Sequence, residues 1–442
     1  MKLIFVFSFF LILSGCSFDD KSGIWKNENS LPQEKKENVF KDFIKVSSSI
    51  KNFDEIIPLE KGKSFEIIAP IKNKNWNDIF YNNNNNFSNY SYTDLNQIIF
   101  RSKKLSKYVI KNHILCENNN LILSDEKGNI IVYSINNNSI ITKFNFYRKK
   151  FKNIKKNLNL TINENIIFTS DNFGYVYAFD YTQNKLLWAK NYKVPFRSNI
   201  KIFKNLLITS NQNNDLYIFE KSNGDLIKQI PTETTKINNL FINNISLSDG
   251  SVFFLNTYGS LYSINDTDFK LNWFINLNSS VNLNLNNLFS GKEIVVHNEK
   301  ILVSSNENFY IINAKNGSVL HKKNFSSKIK PLAIGNYVFL ITKNNLLIAM
   351  TLSEGEILYS YDINDEVSQF TDTKKQNIEF KNMMLVNNGL FIFLKNSFLI
   401  KLNLKGSIND IIKLPAKLKT YPIFIDELLF YLDTKNRLII LS

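Results

Sequence analysis

A short pattern of residues returns along this chain at nearly constant spacing. Its clearest copy runs from Tyr177 to Trp188 and consists of alternating apolar residues, a polar turn and a second strand that ends on an aromatic residue. The positions equivalent to Tyr177 lie 38 to 52 residues apart, with a mean spacing of 44, and are Ile131, Tyr177, Tyr217, Tyr262, Tyr310, Ile348, Ile400 and Ile439. A period of about 40–50 residues indicates repeated supersecondary units, and short strands that close into a ring form a β-propeller. The sequence therefore predicts an all-β fold, an eight-bladed β-propeller of four-stranded antiparallel blades.

The N-terminus has the pattern of a bacterial export signal. Lys2 precedes an apolar run over residues 3–13, which is too short to span a bilayer as a helix. Residues 13–16 (Leu-Ser-Gly-Cys) resemble the bacterial lipobox, which implies removal of residues 1–15 and acylation of Cys16. Ser17 follows the cysteine, and in enterobacterial lipoproteins the absence of Asp there is consistent with sorting to the outer membrane. We expect a lipid-anchored protein on the periplasmic face of that membrane, held firmly because each buried CH₂ contributes about 0.8 kcal/mol.

Three regions follow from the pattern. Residues 1–15 are the predicted signal peptide. Residues 16–94 contain the lipidated cysteine, a flexible polar tether and an irregular segment with Trp76 and an unbroken asparagine run at 82–86. Residues 95–442 form the propeller, whose last copy has three strands before the chain ends. We predict that residues 97–101 supply its fourth strand and close the ring, because that pairs an otherwise open edge.

The chain is basic, with 54 Lys and Arg against 39 Asp and Glu and a net charge of +15. The lysines are spread along the sequence and asparagine is equally abundant, so we interpret the charge as a residue bias. A nucleic-acid-binding protein would cluster Lys and Arg on one element, and we expect no nucleic-acid partner. Once Cys16 is acylated, Cys116 has no partner for an internal disulfide, and its strand-like context predicts a small core residue.

Read together, the copies resemble the PQQ-like repeat of quinoprotein-type propellers. That repeat has Tyr-x-apolar-Asp followed by Thr-Gly-x-x-apolar-Trp. Trp188 and Trp273 occupy the terminal position here, which we call the docking position, and the other copies have Thr142, Lys228, His321 and Tyr359 there. In the family this Trp docks between neighbouring blades. Its replacement in most copies therefore implies weaker packing between blades.

With the lipobox and tether added, nearly the whole mature chain resembles the propeller lipoproteins of the outer-membrane barrel-assembly machinery. The best local match is the loop at residues 194–198 between blades 2 and 3. The resemblance implies that Val194, Phe196, Arg197 and Ser198 bind the POTRA domains of the central barrel subunit. Acidic residues that some members carry before blade 4 are not matched by residues 234–239. The implied function is a scaffold, anchored to the membrane by lipid, that binds unfolded outer-membrane proteins and assists their folding and insertion.

A PQQ- and Ca²⁺-dependent quinoprotein dehydrogenase is the enzymatic alternative. It needs a calcium site of carboxylate and amide oxygens, a Trp stacked on the quinone and usually a pair of adjacent cysteines. This sequence has no adjacent cysteines. The scattered His113, His297 and His321 are interpreted as structural, and the acidic pairs 125–126 and 365–366 as solvated turns. We predict no catalytic residue, no cofactor and no metal ion. A lipoprotein propeller that binds another envelope partner is the third hypothesis.

Overall fold

The computed structural model describes residues 16–18, 25–27, 53–147, 151–234, 241–248, 250–278, 289–372, 374 and 377–442. The chain divides into two compact units, residues 1–51 and residues 52–442. In the first unit, strand Cys16–Phe18 pairs antiparallel with strand Trp25–Asn27, and Cys16 lies opposite Asn27. The predicted signal peptide and residues 28–52 of the predicted tether lie outside the described residues.

The second unit is an eight-bladed propeller of antiparallel four-stranded sheets, as the repeat spacing predicted. From the innermost strand outward, blades 1 to 4 consist of Leu115–Glu117, Asn120–Ser124, Asn129–Ser134 and Ser139–Asn145; Leu158–Asn163, Ile166–Asp171, Tyr175–Asp180 and Lys185–Asn191; Lys201–Phe203, Leu206–Ser210, Leu216–Glu220 and Leu226–Ile230; and Asn244–Ser248, Ser251–Leu255, Ser260–Asn265 and Leu271–Asn276. Blades 5 to 8 consist of Val295–His297, Lys300–Ser304, Phe309–Asn313 and Val319–Lys323; Leu332–Ile334, Tyr337–Ile341, Leu346–Thr351 and Ile357–Asp362; Phe380–Val386, Gly389–Leu394, Phe398–Asn403 and Ile408–Lys413; and Ile423–Ile425, Leu428–Leu432, Arg437–Leu441 and Ile98–Lys104.

The middle strands of each blade are buried on both faces. Strand Tyr175–Asp180 of blade 2 is an example, since five of its six residues are buried. A sheet covered on both sides by its neighbours requires near-continuous apolar sequence, whereas a half-exposed strand alternates. The outermost strand Lys185–Asn191 is of the half-exposed kind and has no fully buried residue. The hydrophobic core thus lies between blades, in the layers that join each sheet to the next.

The ring is closed by the N-terminal strand Ile98–Lys104, which confirms the predicted donor and extends it to residue 104. This strand pairs antiparallel with Arg437–Leu441, with Phe100 opposite Ile440. The backbone N–H of Leu105 then donates to the carbonyl of Asn436 at 2.9 Å. The two ends of the propeller are therefore held in one sheet, and strand Arg437–Leu441 has no open edge.

One α-helix, Ile363–Thr371, connects blades 6 and 7. The Asp362 carboxylate caps it by accepting the N–H of Asn364, and Asp365 and Glu366 lie in its first turn, where the helix dipole favours negative charge. The interpretation of the pair 365–366 as a solvated turn was therefore wrong. Among the residues that the structure describes, no helix is long and apolar enough to cross a membrane.

Asp125 does lie in a turn, but it is fully buried rather than solvated. Its Oδ1 accepts the backbone N–H groups of Lys127 and Asn129, which fixes the turn between the second and third strands of blade 1. Asp171 and Asp433 cap the same turn in blades 2 and 8. The acidic residue at this position is therefore part of the repeat.

Residues 73–93 run once around the inside of the ring, and we call them the central segment. Their hydrogen bonds reach the blades in order, beginning and ending at blade 8: Asn73 with Phe424, Trp76 with Cys116, Asn77 with Ile162, Asp78 and Asn82 with Lys201, Asn83 with Leu247, Asn84 with Val296, Asn86 with Ala333, and Thr93 with Glu427. Between these contacts, Asn89–Tyr90 adds a parallel strand to the inner edge of blade 7. Without this segment, the innermost strands would present unpaired N–H and C=O groups to the central channel of the ring. The segment predicted to be irregular is irregular in conformation, but it is built into the core, and the asparagine run supplies many of its bonds.

Candidate functional site

The loop at residues 194–198 is fixed to blades 2 and 3 by its backbone. The N–H of Phe196 donates to the carbonyl of Asp171 at 2.8 Å, and the N–H of Arg197 donates to the carbonyl of Ser210 at 2.9 Å. The carbonyl of Pro195 accepts the N–H of Gln212 at 2.8 Å. The backbone of the loop is therefore held by the strands on both sides of it.

Two of the four residues assigned to partner binding are buried in this structure. Phe196 is 3% exposed and packs on Tyr217, with ring centroids 5.5 Å apart. Ser198 is fully buried, and its hydroxyl oxygen accepts the N–H of Ser210 at 2.8 Å. Both side chains support the loop from beneath. The side chains that a partner can reach are the partly exposed Val194 and Arg197.

Arg197 occupies a position that holds a cation in four inter-blade loops. The N–H of the cationic residue donates to the carbonyl at the end of the second strand in blades 1, 3, 6 and 8, and these cations are Lys111, Arg197, Lys328 and Lys419. Partial burial lowers the pKa of each of them. Four of the 54 basic residues therefore share one position of the repeat. The repeat places several of them on the face of the disc that carries the inter-blade loops.

The docking positions make the contact between blades that the resemblance implied. Trp188 donates its indole N–H to the carbonyl of Lys221 at 3.1 Å, and Trp273 donates to the carbonyl of Ala314 at 3.0 Å. Thr142 keeps an equivalent bond to Tyr181 at 3.0 Å, and the His321 ring contacts the carbonyl of Ser353 at 2.8 Å. These two copies therefore keep a hydrogen bond between blades without the indole, and the weaker packing expected on loss of Trp stays a prediction.

The outermost strands expose an aliphatic pair just after the hairpin that precedes them. In blades 1, 2, 3 and 5 these pairs are Ile140 and Ile141, Leu186 and Leu187, Leu226 and Ile227, and Val319 and Leu320, each residue between 37% and 44% exposed. The second member of each pair is the extra residue of a β-bulge in this strand. The blade rim thus combines open strand edges with apolar side chains, a surface suited to an added apolar strand.

A cavity of about 350 Å³ lies between the central segment and the inter-blade loops. Phe80 and Phe87 of the central segment are among the residues that line it. The His113 ring stacks on Tyr421 at one wall, with centroids 4.7 Å apart, and burial lowers the pKa of His113 to about 4. This imidazole is therefore neutral at physiological pH, consistent with a structural role.

The residues around the channel do not fit a quinone cofactor held by calcium. Trp76, the tryptophan at the cavity, is packed among the rings of Tyr81, Phe87 and Tyr90. Within the described ranges, no group of three His, Cys, Asp or Glu side chains is placed to hold a metal ion. Cys116 is buried, which confirms the predicted core role, and burial raises the pKa of its thiol to about 12.

Comparison with known proteins identifies the family of this chain. A family model described as outer membrane protein assembly factor BamB matches residues 120–361, more than half of the 442 residues. A curated relative, the outer membrane protein assembly factor BamB of Moranella endobia (strain PCIT), is 20% identical over 278 residues. That match covers 58% of this chain and 66% of the relative, just under two thirds of its length.

Solved structures share the fold at low identity. The crystal structure of BamB from Moraxella catarrhalis superposes with a TM-score of 0.60 at 12% identity, covering 78% of this chain and 98% of that one. The computationally designed Ika8 protein gives 0.58 at 10% identity, covering 78% and 99%. The quinohemoprotein alcohol dehydrogenase of Comamonas testosteroni gives 0.56 at 9% identity, covering 80% and 76%. At these identities the likeness shows the propeller fold alone.

Proposed function

The chain belongs to the BamB family of outer membrane protein assembly factors, and from that membership we propose that it is a scaffold subunit of the barrel-assembly machinery. Family membership is the observation that carries the proposal. A dehydrogenase is not favoured, because the residues around the channel do not fit the cofactor that this chemistry needs.

The loop at residues 194–198 is the proposed contact with the POTRA domains of the central barrel subunit. Its backbone is fixed by both neighbouring blades, and Val194 and Arg197 are its partly exposed residues among the four. A pre-ordered aliphatic–arginine pair loses little conformational freedom on binding, and arginine is enriched at the energetic centres of interfaces. Phe196 and Ser198 act by holding this pair in position.

The blade rims are the proposed surface for unfolded outer-membrane proteins. Their exposed aliphatic pairs lie on edge strands whose backbone groups are open on one side. An extended apolar segment of a barrel protein can pair there as an added strand. The lipobox at residues 13–16 supports anchoring of Cys16 in the outer membrane, with the propeller in the periplasm.

The proposal predicts a site-specific crosslink. A photo-reactive phenylalanine analogue that replaces Arg197 in living cells is expected to capture the central barrel subunit, because that side chain lies at the proposed interface. The product is identified by mass spectrometry after irradiation.

The matched control is the same analogue at Lys328, the equivalent position in blade 6. It is expected to capture at least several-fold less of the barrel subunit. Absence of the product at position 197, or equal capture at both positions, contradicts the proposed interface.

A further inference from the structure

The central cavity carries more positive charge than its own side chains neutralise. Five lysines and two glutamates line it. Glu379 is paired with Lys395 at 3.4 Å. The remaining carboxylate, Glu293, forms no ion pair with a described lysine or arginine. The cavity is therefore electropositive.

Lys330 is the most deeply placed of these cations. The residue is 7% exposed, and its ammonium donates to the carbonyl of Asn85 at 2.7 Å. Its Nζ also lies 3.3 Å from the ring centroid of Phe87. A buried ammonium is normally paired with a carboxylate, because an unpaired buried charge is costly. Within the described residues Lys330 has no carboxylate at ion-pair distance, and the ammonium is held by the Asn85 carbonyl and the rings of Phe87 and Phe80.

Aromatic side chains also line the cavity. The rings of Phe80 and His113 meet edge to face with centroids 6.0 Å apart, and His113 stacks on Tyr421. The volume of about 350 Å³ is within the range of small-molecule sites, where apolar walls surround a few polar groups. The mouth is bordered by the exposed Asn377 and Lys395.

We propose that this cavity binds one small aromatic carboxylate, whose anionic group pairs with the Lys330 ammonium and whose ring packs against the aromatic side chains that line the cavity. The inference concerns a different place on the disc from the loop at 194–198 and does not depend on the function proposed above. It requires no metal ion and no covalent step.

The charge state of Lys330 gives binding a defined pH dependence. Burial lowers the pKa of its ammonium to about 7. The charged and titratable groups that face it are Asp78 on the central segment, Lys201 in blade 3, Glu293 before blade 5 and His113 before blade 1. Below pH 7 the site is charged and ready for an anion. Above pH 7 binding must first take up a proton, so the apparent affinity falls by up to about tenfold per pH unit.

Calorimetric titration of the full chain with 2-naphthoate tests this site. We expect saturable one-to-one binding at pH 6.5 that weakens at least about tenfold by pH 9, and no binding of the neutral 2-naphthamide. Lys330→Met is expected to weaken binding at least about tenfold, since it removes a charged hydrogen-bond donor. Lys435→Met, at an exposed turn, is the matched control and is expected to leave affinity unchanged.

A second variant keeps the test decisive if Lys330→Met does not fold. Lys292→Gln, at the partly exposed edge of the cavity, is expected to weaken naphthoate binding several-fold. Equal affinities for naphthoate and naphthamide, a flat pH profile in the native chain, or binding of inorganic phosphate without binding of naphthoate overturn the proposal.

Discussion

Replacement of Asp78 by Ala is expected to lower the free energy of unfolding by about 3–5 kcal/mol, because it leaves Lys201 buried without its counter-charge. The Lys201 side chain is fully buried and its Nζ lies 2.8 Å from Asp78 Oδ2. The same ammonium donates to the carbonyl of Asn82 at 2.7 Å. This pair holds the central segment against blade 3, so its loss is expected to loosen the segment as well.

Thermal unfolding followed by circular dichroism measures this effect. Glu299→Ala removes an ion pair with Lys315 of the same length, 2.8 Å, but with both side chains about 70% exposed, and is expected to cost no more than about 1 kcal/mol. The double variant Asp78→Leu with Lys201→Met is expected to recover most of the loss, since it removes both charges. An Asp78→Ala protein as stable as the Glu299→Ala control contradicts a structural role for the central segment.

Trp188→Ala is expected to cost about 2–4 kcal/mol, since it removes a large, partly buried aromatic group and its hydrogen bond to Lys221. The indole also fits against Gly224, whose φ is +73°. A Cβ on that glycine would lie 2.4 Å from the Trp188 ring. Blade 3 is joined to blade 2 by this contact, and the variant is expected to unfold at lower temperature.

The chain provides a matched control at the same repeat position in the next blade. Lys228 is exposed, and Lys228→Ala is expected to change stability by less than about 0.5 kcal/mol. If both variants lose equal stability, the docking position does not join neighbouring blades through the indole.

The ring of blades could be predicted because each repeat is local. The turn and strand signals around Tyr177 recur within one blade, and the unpaired last strand indicated the donor that became Ile98–Lys104. The central segment gave no such signal. Its asparagines bond to backbone groups more than a hundred residues away, as Asn85 does to Ile245 and Ile294, and no local pattern encodes those partners.

The candidate site was predicted only in part for a similar reason. The resemblance located the loop, but it did not show which side chains face outward. Phe196 occupies a core position of the repeat, since the equivalent residues in blades 1 and 8, Ile110 and Leu418, are also buried. The shared position of the four loop cations was not predicted, because it becomes visible only when the blades are superposed. The sequence spacing did not predict that Lys330 lies at the centre of the ring.

The most direct test of the central claim is co-purification of the native protein from membranes. After mild detergent extraction, affinity capture of the full chain is expected to recover the central barrel subunit as the main partner, because the proposed function is a scaffold for that subunit. Arg197→Glu is expected to reduce that recovery at least about tenfold, while Lys435→Glu leaves it unchanged. Recovery of a different envelope protein as the main partner, with no barrel subunit above background, contradicts the account.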